Sequence, residues 1–441
     1  METGGLKNVT VILPCLNVVS YIKQCVDSVI HQTIFDELEV LIIDAGSNDG
    51  TYELVLYYEH EYSNVRVIKS DKKSYGYQVN LGIKEATGKY VAILETDDYV
   101  REDMYEILYR IAEENDVDYI KADFERFYQL RSGAKLSQTI RVSYDDENYN
   151  RVVDISKNRL IYARDINVWK GIYKREFLLE KNVFFRESPG AAFQDIGFGQ
   201  LLHSQSRRAY YIPDSLYRYR IGRENASVNT GKGICYAAAE FRRLLDKKDD
   251  LPLYLPGLYE AMLSYFCGEF SLLENENALK DEKLISDIKW LVSTIETGFD
   301  NNVLTQESIE EDGVQDLLVY FRVVAANPLD EMRRVIEEKR IIKNRVMTMA
   351  ADGFNHIIFG AGNYGRELLQ LMDMYGVSAS LFFDNSATDG EQIGGIEVVK
   401  PDEKYLHGKE KIIIANKKHK DSIRQQLLEM GAKQENIIDY K

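Results

Sequence analysis

The sequence predicts an α/β protein in which two strand–helix regions flank a mainly helical region. Strands and helices alternate over the first hundred residues, helical periodicity dominates residues 234–347, and a second strand–helix pattern begins near His356. Strands that alternate with helices imply a parallel sheet, which binds ligands at the carboxyl ends of its strands. A length of 441 residues suits two or three domains, and we expect their bounds at 1–230, 231–350 and 351–441.

Four short apolar runs in the N-terminal region predict buried strands: Val9 to Leu13, Val40 to Ile43, Val65 to Ile68 and Tyr90 to Leu94. Helices are expected between them. Ser20 is a candidate cap of the first helix, the second follows the turn at Asn48-Asp49-Gly50, and Gly88 ends the third.

Acidic residues follow two of these strands, as Asp44-Ala45-Gly46-Ser47 and Glu95-Thr96-Asp97-Asp98. Because the strands are parallel, both acidic segments are expected at one edge of the sheet. A divalent cation held by carboxylates would act there as a Lewis acid on a diphosphate leaving group. Taken alone, an acidic pair after a strand is more often a helix cap or a solvated turn than a metal site.

The bulk composition excludes some classes of function. A net charge of −16 argues against broad binding to nucleic acid or anionic lipid. The four cysteines have neither zinc-site nor disulfide spacing, and no stretch resembles a signal peptide or a membrane span. We therefore expect a cytoplasmic protein, with peripheral contact at the inner face of the membrane left open.

Several motifs of the first region resemble those of family 2 glycosyltransferases, which have the GT-A fold. They are VTVILPCLN (Val9 to Asn17), VLIIDAGSNDGT (Val40 to Thr51), YGYQVNLGIKEATGKYVAILETDD (Tyr75 to Asp98) and YIKADF (Tyr119 to Phe124). The resemblance implies a metal-dependent, inverting transferase that uses a nucleotide-diphosphate sugar. A UDP-sugar is the expected donor, although Ala45 stands where many relatives carry a second acid, which leaves the base open.

The resemblance also implies roles for residues of the donor half. Asp98 is the expected ligand of Mn²⁺ or Mg²⁺, with Asp97 near the ribose. The other expected donor-binding residues are Pro14, Asn17 and Asp44 beside the nucleoside, and Gly76, Gln78 and Asn80 in a neighbouring loop. For Asn80 a purely structural role, in which its amide binds backbone, is the alternative.

The acceptor half is expected in PGAAFQDIGF, Pro189 to Phe198, where Asp195 is the candidate general base and Gln194 replaces the glutamate of relatives. A helix-start carboxylate is the alternative for Asp195. Trp169 offers a ring for a sugar or packs in the core. Downstream, Leu216 to Val228 resembles a family segment that includes Asn225 and Ser227.

Arginines in this last segment suit a diphosphate, because their forked donors match phosphate oxygens. Arg220 is preferred over Arg218 and Arg223, and surface ion pairing is the alternative for each of them.

The C-terminal region contains a G-x-G-x-x-G motif formed by Gly360, Gly362 and Gly365, with Asp384 at the end of the next predicted strand. This order is that of a dinucleotide fingerprint. The region resembles small Rossmann-like domains appended to bacterial surface-polysaccharide enzymes. A second nucleotide site and a role in scaffolding or homo-oligomerisation are both left open.

The sequence thus favours an inverting glycosyltransferase that acts on a glycan or lipid-linked glycan acceptor of capsule, lipopolysaccharide or teichoic type. A non-catalytic nucleotide-sugar-binding scaffold protein is the main alternative. An enzyme whose chemistry belongs to the C-terminal region is a third hypothesis, weakened because little chain remains for a substrate domain.

Overall fold

The computed structural model describes residues 7–143, 145–191, 193–223, 232–251, 253–311 and 313–440. These residues form two compact units. The first comprises Met1–Arg126 and Thr139–Met332, and the second comprises Phe127–Gln138 and Arg333–Lys441. The expected α/β class is confirmed, whereas the division at residues 230 and 350 stays a prediction.

The first unit begins with alternating strands and helices, as the sequence predicts: β1 Val9–Cys15, α1 Val19–Ile30, β2 Leu38–Asp44, α2 Thr51–Glu61, β3 Val65–Lys69, α3 Tyr75–Glu85 and β4 Tyr90–Ile93. Every residue of β1 and β4 is buried, which explains why these strands are continuous apolar runs. The expected cap at Ser20 is wrong. Helix α1 starts at Val19, two residues earlier than a cap at Ser20 predicts, so Ser20 lies inside it and the apolar Val18 occupies the cap position.

The remaining elements of the sheet region are β5 Tyr99–Val100, α4 Met104–Asn115, β6 Tyr119–Gln129, β7 Lys135–Ile140, β8 Val152–Val153, α5 Arg159–Arg164, β9 Gly171–Lys174, α6 Arg175–Glu180, α7 Gln194–Gln205 and β10 Ala209–Ile221. The strand order is β3-β2-β1-β4-β9-β6-β10-β5. Strands β1 to β4 are parallel, and β9 is antiparallel to β4. Because the chain proceeds outward from β1 to β3 and returns to β4 on the other side, a crevice opens between the carboxyl ends of β1 and β4, where ligands bind in such sheets.

The helical region expected between the two strand–helix regions is present. It consists of α8 Gly233–Asp246, α9 Leu255–Ser271, α10 Glu282–Asp300, α11 Gln306–Glu311, α12 Gln315–Ala326 and α13 Pro328–Met349. Its core includes Phe266 of α9, whose ring packs edge-on against Phe321 of α12. Within the described ranges, none of the helices combines the length and the apolar character that crossing a bilayer requires.

The second unit contains a separate sheet built from β11 Asn355–Phe359, α14 Asn363–Met374, β12 Ala379–Phe383, β13 Gln392–Ile393, β14 Ile396–Val399, β15 Glu410–Ile414, α15 Lys420–Glu429 and β16 Ile437–Asp439. Its order is β13-β14-β12-β11-β15-β16. Apart from the short β13, which is antiparallel to β14, the paired strands are parallel. The expected small Rossmann-like domain is therefore confirmed as a fold.

Candidate active site

The acidic pair Asp97–Asp98 lies at the crevice between β1 and β4. Thr96, which precedes the pair, donates a 3.1 Å hydrogen bond from its hydroxyl to the carbonyl of Pro14 in β1. Asp44 ends β2 in register with Cys15, the last residue of β1. The pairing of these parallel strands therefore brings the two acidic segments to one edge of the sheet.

Asp98 is only 1% exposed, and both of its carboxylate oxygens accept hydrogen bonds from β10. The hydroxyl of Tyr217 donates to Oδ2 at 2.8 Å, and the backbone N–H of Arg220 donates to Oδ1 at 2.7 Å. Burial, reinforced by the charge of Asp97, raises the pKa of Asp98 well above its usual range. Strand β10 therefore fixes the orientation of a carboxylate that burial disfavours in its charged form.

Arginines of the segment around β10 surround the same pair. Arg220 donates from Nε to the carbonyl of Asp97 at 2.9 Å, and Arg223 forms an ion pair with the Asp97 carboxylate. Both guanidinium groups lie over the ring of Tyr21, at 5.2 and 5.8 Å from its centroid.

Arg218, by contrast, lies 3.8 Å from Glu125 and donates to the carbonyl of Ser215. Arg220 and Arg223 thus both contact the acidic pair, and the preference for Arg220 as a phosphate ligand stays a prediction. Asn225 and Ser227 of the same motif lie outside the described residues.

The loops after β1 and β2 form the rim expected beside the nucleoside. Asp44 accepts the backbone N–H groups of Gly46 and Ser47 at 2.9 and 3.1 Å. Asn17 is exposed, has a φ of +54°, and accepts the N–H of Asn48 at 2.9 Å. These contacts tie the two loops to each other and leave the Asn17 side chain at the surface of the rim.

Gln78 holds the ends of β1 and β2 together. Its amide donates to the carbonyl of Cys15 at 3.0 Å and to that of Ile43 at 2.5 Å, so it bridges β1 and β2. The side chain is buried, and its direct contact with a donor stays a prediction.

Asn80 and Gly76, on the same helix, hold the segment around Phe185. The Asn80 amide donates to the carbonyl of Phe185 and accepts its N–H, both at 2.9 Å. A Cβ on Gly76 would lie 2.1 Å from the carbonyl oxygen of Arg186, so only glycine permits this approach. The contacts support the structural alternative for Asn80, and a donor role for either residue stays a prediction.

Asp195 is the second residue of α7, where an ionised carboxylate is favoured by the helix dipole. Burial nevertheless raises its pKa to about 6. Its Oδ1 accepts the N–H of Ile196 at 3.0 Å. The preceding Gln194 donates to Ser188 Oγ at 3.0 Å and to the carbonyl of Gly190 at 3.1 Å, so it holds the loop that leads into the helix.

Glu95 is a buried carboxylate on which the charges of both Asp97 and Asp195 act. Burial raises the pKa of Glu95 to about 8, and the charges of Asp97 and Asp195 add to this rise. The hydroxyl of Tyr75 donates to Glu95 Oε1 at 2.5 Å, and this hydrogen bond lowers the pKa. Burial and the charge of Asp195 likewise raise the pKa of Glu269, on α9, to about 7. The sequence motifs predict no role for either glutamate. Glu95 was visible beside Asp97 at a strand end, whereas nothing local marked Glu269.

Trp169 is packed among aromatic side chains. Its ring stacks on those of Tyr217 and Tyr219, with centroids 4.3 and 4.9 Å apart, and meets Phe124 edge-on at 4.8 Å. Because only 6% of Trp169 is exposed, the packing supports the core alternative. Contact with an acceptor sugar stays a prediction.

The residues present fit a divalent cation in their donor chemistry. Mg²⁺ is commonly held by one or two carboxylates together with substrate phosphates and water. Burial raises the pKa of Asp98, and the negative charges of Asp97 and Glu95 raise it further, which is a concentration of negative charge that a cation would offset. Over the described ranges, no group of three or more candidate ligands converges as a complete metal site. Metal binding by the acidic pair therefore stays a prediction.

The glycine motif of the second unit adopts the close turn expected of its sequence. Gly360 has a φ of +115°, and a Cβ on Gly365 would lie 1.9 Å from the Gly360 carbonyl oxygen, whereas Gly362 has open space around it. Asp384 accepts the N–H of Ala361 at 2.8 Å and so closes this loop. Nucleotide binding by the motif stays a prediction.

The sheet order and the acidic crevice together define a GT-A domain. Residues 10–189 match the model of Glycosyl transferase family 2, which confirms the resemblance predicted for this part of the chain.

Two curated relatives carry related sequences. The uncharacterized glycosyltransferase YibD of Escherichia coli (strain K12) is 30% identical over 51% of this chain and 64% of its own length. The uncharacterized glycosyltransferase EpsJ of Bacillus subtilis (strain 168) is 28% identical over 48% of this chain and 60% of its own length. The chain thus spans less than two thirds of either relative.

Solved structures support the fold. Residues 1–349 of S. aureus TarS in complex with UDP-GlcNAc superpose with a TM-score of 0.54 at 19% identity, covering 76% of this chain and 92% of that one. The same TarS fragment in another crystal structure gives a TM-score of 0.51.

Proposed function

We propose that this chain is an inverting glycosyltransferase that moves a sugar from a UDP-sugar to a hydroxyl group of a surface glycan. The observation that carries the proposal is the placement of two separate acidic centres. Asp97–Asp98 lie at the switch point of a GT-A sheet, and Asp195 lies close enough to interact electrostatically with Glu95 beside them. One centre suits the leaving group and the other suits the attacking hydroxyl.

In the donor half, Asp98, assisted by Asp97, would hold Mn²⁺ or Mg²⁺, which when bound supplies Lewis-acid stabilisation of the departing diphosphate. Arg220 and Arg223 lie against the acidic pair and offer forked donors for phosphate oxygens. The rim formed by Asn17 and Asp44 is the proposed boundary of the nucleoside site.

In the acceptor half, Asp195 would accept the proton of the attacking hydroxyl. A general base works best when its pKa lies near the operating pH. With a pKa of about 6, Asp195 is mostly ionised at neutral pH and is a stronger base than an ordinary aspartate. A base on the acceptor side, opposite the leaving group, corresponds to inversion at the anomeric carbon.

The choice of donor and acceptor is supported by likeness alone. The TarS structure similar in fold is a complex with UDP-GlcNAc, which favours a UDP-sugar. A glycan or lipid-linked glycan acceptor, and a cytoplasmic location with peripheral membrane contact, follow from the resemblance to bacterial surface-polysaccharide enzymes. The scaffold alternative would require both acidic centres to be retained without use.

The test is nucleotide release from a panel of nucleotide sugars, with and without Mn²⁺. The wild-type chain should release the nucleotide only with metal, and Asp98→Asn should abolish release. Asp36→Asn, a change at an exposed acid outside the site, is the matched control. Tight donor binding without release in the wild type would favour the scaffold alternative, and release by Asp98→Asn at the wild-type rate would refute the metal assignment.

A further inference from the structure

The first unit contains a cavity of about 200 Å³ beside α5 and the residues that precede β9. A single buried water needs only about 10–15 Å³ of such volume, so the cavity is large enough for a group of several non-hydrogen atoms. Leu160, Arg164 and Asn167 of its lining are half-buried, which means that the cavity reaches solvent.

The charged part of the cavity lining is entirely basic. Among the described residues that line it, Arg141, Arg164 and Lys170 carry positive charge and none carries a carboxylate. Neutral hydrogen-bonding groups come from Ser143 and Asn167. An oxyanion would find both charge and donors there.

Arg164 is the cation that remains available. Arg141 forms an ion pair with Asp146, and Lys170 lies 2.8 Å from Asp165. In the part of the chain that the structure describes, the Arg164 guanidinium has neither an ion pair nor a hydrogen bond. The contrast with Arg159 on the same helix is direct, since Arg159 donates to Glu260 at 3.0 Å.

Buried charges of both signs lie next to the cavity. Lys121 and Lys170 both contact Asp165, at 2.9 and 2.8 Å, so two ammonium groups share one carboxylate. His203 lies 3.5 Å from the same Asp165, and burial lowers its pKa, which keeps it neutral. The carboxylate of Asp123, which accepts the N–H of the lining residue Val142, also acts on Lys170, so the attraction for an anion comes from Arg164 and not from these buried charges.

A series of three aromatic rings connects the cavity lining to the acidic pair. Phe124 lines the cavity and packs edge-on against Trp169, which stacks on Tyr217. Tyr217 in turn donates to Asp98. These three rings therefore lie between a molecule held in the cavity and the carboxylate of Asp98.

We propose that this cavity binds an oxyanion group, a phosphate or a carboxylate, carried by the acceptor glycan, with Arg164 as its principal partner. The acceptor part of the proposal rests on the proposed transferase function. The binding of an oxyanion does not, because it follows from the cavity and its charges.

The first test measures binding of inorganic phosphate, glycerol 3-phosphate and glucuronate to the full chain by calorimetry. We expect at least one of these probes to bind the wild type, and Arg164→Gln to weaken that binding about tenfold, the usual effect of losing a hydrogen bond to a charged group. Arg151→Gln, at an exposed arginine outside the lining, is the matched control and should change it less than twofold. Phosphate and glucuronate separate the two kinds of oxyanion.

Because the donor site would also take phosphate, the titration is repeated with Arg220→Gln, which should retain the Arg164-dependent binding. Thermal unfolding of Arg164→Gln and Arg164→Lys checks that the fold is kept. Absence of binding by every probe at millimolar concentration, or equal binding by the Arg164→Gln and Arg151→Gln variants, would overturn the proposal.

The second test compares an acidic acceptor glycan with a matched neutral one. Arg164→Gln should raise KM about tenfold for the acidic acceptor, leave kcat nearly unchanged, and leave the neutral acceptor unaffected. If no donor is turned over at all, the proposed transferase function fails while the probe titrations still decide the oxyanion site. An equal effect on both acceptors would refute the acceptor assignment.

Discussion

The Tyr217 hydroxyl donates a 2.8 Å hydrogen bond to Asp98 Oδ2, while the ring of the same residue stacks on Trp169 at 4.3 Å. One side chain thus joins the position of the acidic pair to the aromatic packing of β10. The backbone N–H of Glu95 donates to this hydroxyl at 3.2 Å, so the hydroxyl also fixes the end of β4.

The Tyr217→Phe variant separates these two roles, because it keeps the ring and removes the hydroxyl. We expect nucleotide release to fall about tenfold and to need more Mn²⁺, since Asp98 loses a hydrogen bond worth roughly 1.5–3 kcal/mol for a charged acceptor. Tyr210→Phe, on the same strand, is the control. Metal titrations of release rate measure the effect, and an unchanged Mn²⁺ requirement would show that the hydroxyl does not orient Asp98.

The pH dependence of turnover should report Asp195. Its pKa of about 6 reflects burial first, with the charge of Glu240 raising it and that of Lys121 lowering it. Because the base acts in its ionised form, kcat/KM should rise about tenfold per pH unit below pH 6 and level off above it. Asp195→Asn should abolish turnover at every pH while donor affinity stays within about twofold. Turnover that is independent of pH between 5 and 7 would exclude Asp195 as the base.

The free energy of unfolding should fall over the pH range in which turnover rises. A carboxylate whose pKa is higher in the folded state than in the unfolded state loses stability as pH rises between the two values. For Asp195 this interval runs from 3.8 to about 6. The Asp195→Asn variant should therefore gain stability over the wild type progressively from pH 4 to 6, with a constant difference above. Urea unfolding at several pH values measures this, and a difference that narrows as pH rises would contradict it.

Asn80 should matter for stability more than for donor affinity. Its amide makes two hydrogen bonds with the backbone of Phe185, and Asn80→Ala leaves both backbone groups without them. Since a buried unsatisfied group costs about 1–3 kcal/mol, we expect a loss of roughly 2–5 kcal/mol in the free energy of unfolding. The exposed Asn277→Ala is the control. A normal unfolding curve combined with weakened donor binding would instead support direct contact with the donor.

Structural features that depend on residues close together in the sequence can be predicted from it. The strands ending at Asp44 and before Glu95 are recognisable because parallel strands buried on both faces are continuous apolar runs. The carboxyl edge of the sheet follows from the parallel topology, so the proximity of the acidic segments follows too.

Contacts between residues that are far apart in the sequence are harder to predict from it. The spacing of Arg218, Arg220 and Arg223 does not show that Arg223 pairs with Asp97 while Arg218 faces Glu125, because this depends on how β10 enters the sheet. Similarly, a tryptophan at position 169 is equally suited to a sugar platform and to a core until Tyr219 is seen stacked on it.

The acidic environment of Asp195 has a consequence for exchanging parts between related enzymes. The charge of Glu240, on α8, raises the pKa of Asp195 at the start of α7, and the charge of Asp195 raises the pKa of Glu269 on α9. The proton affinities of these groups therefore depend on three successive helices. A chimera joined at residue 230 would combine one protein's base with another protein's surrounding charges. Chimeras that take α7, α8 and α9 from the same parent would preserve the pKa of Asp195. The junction between the two parents should therefore lie outside the segment from α7 to α9.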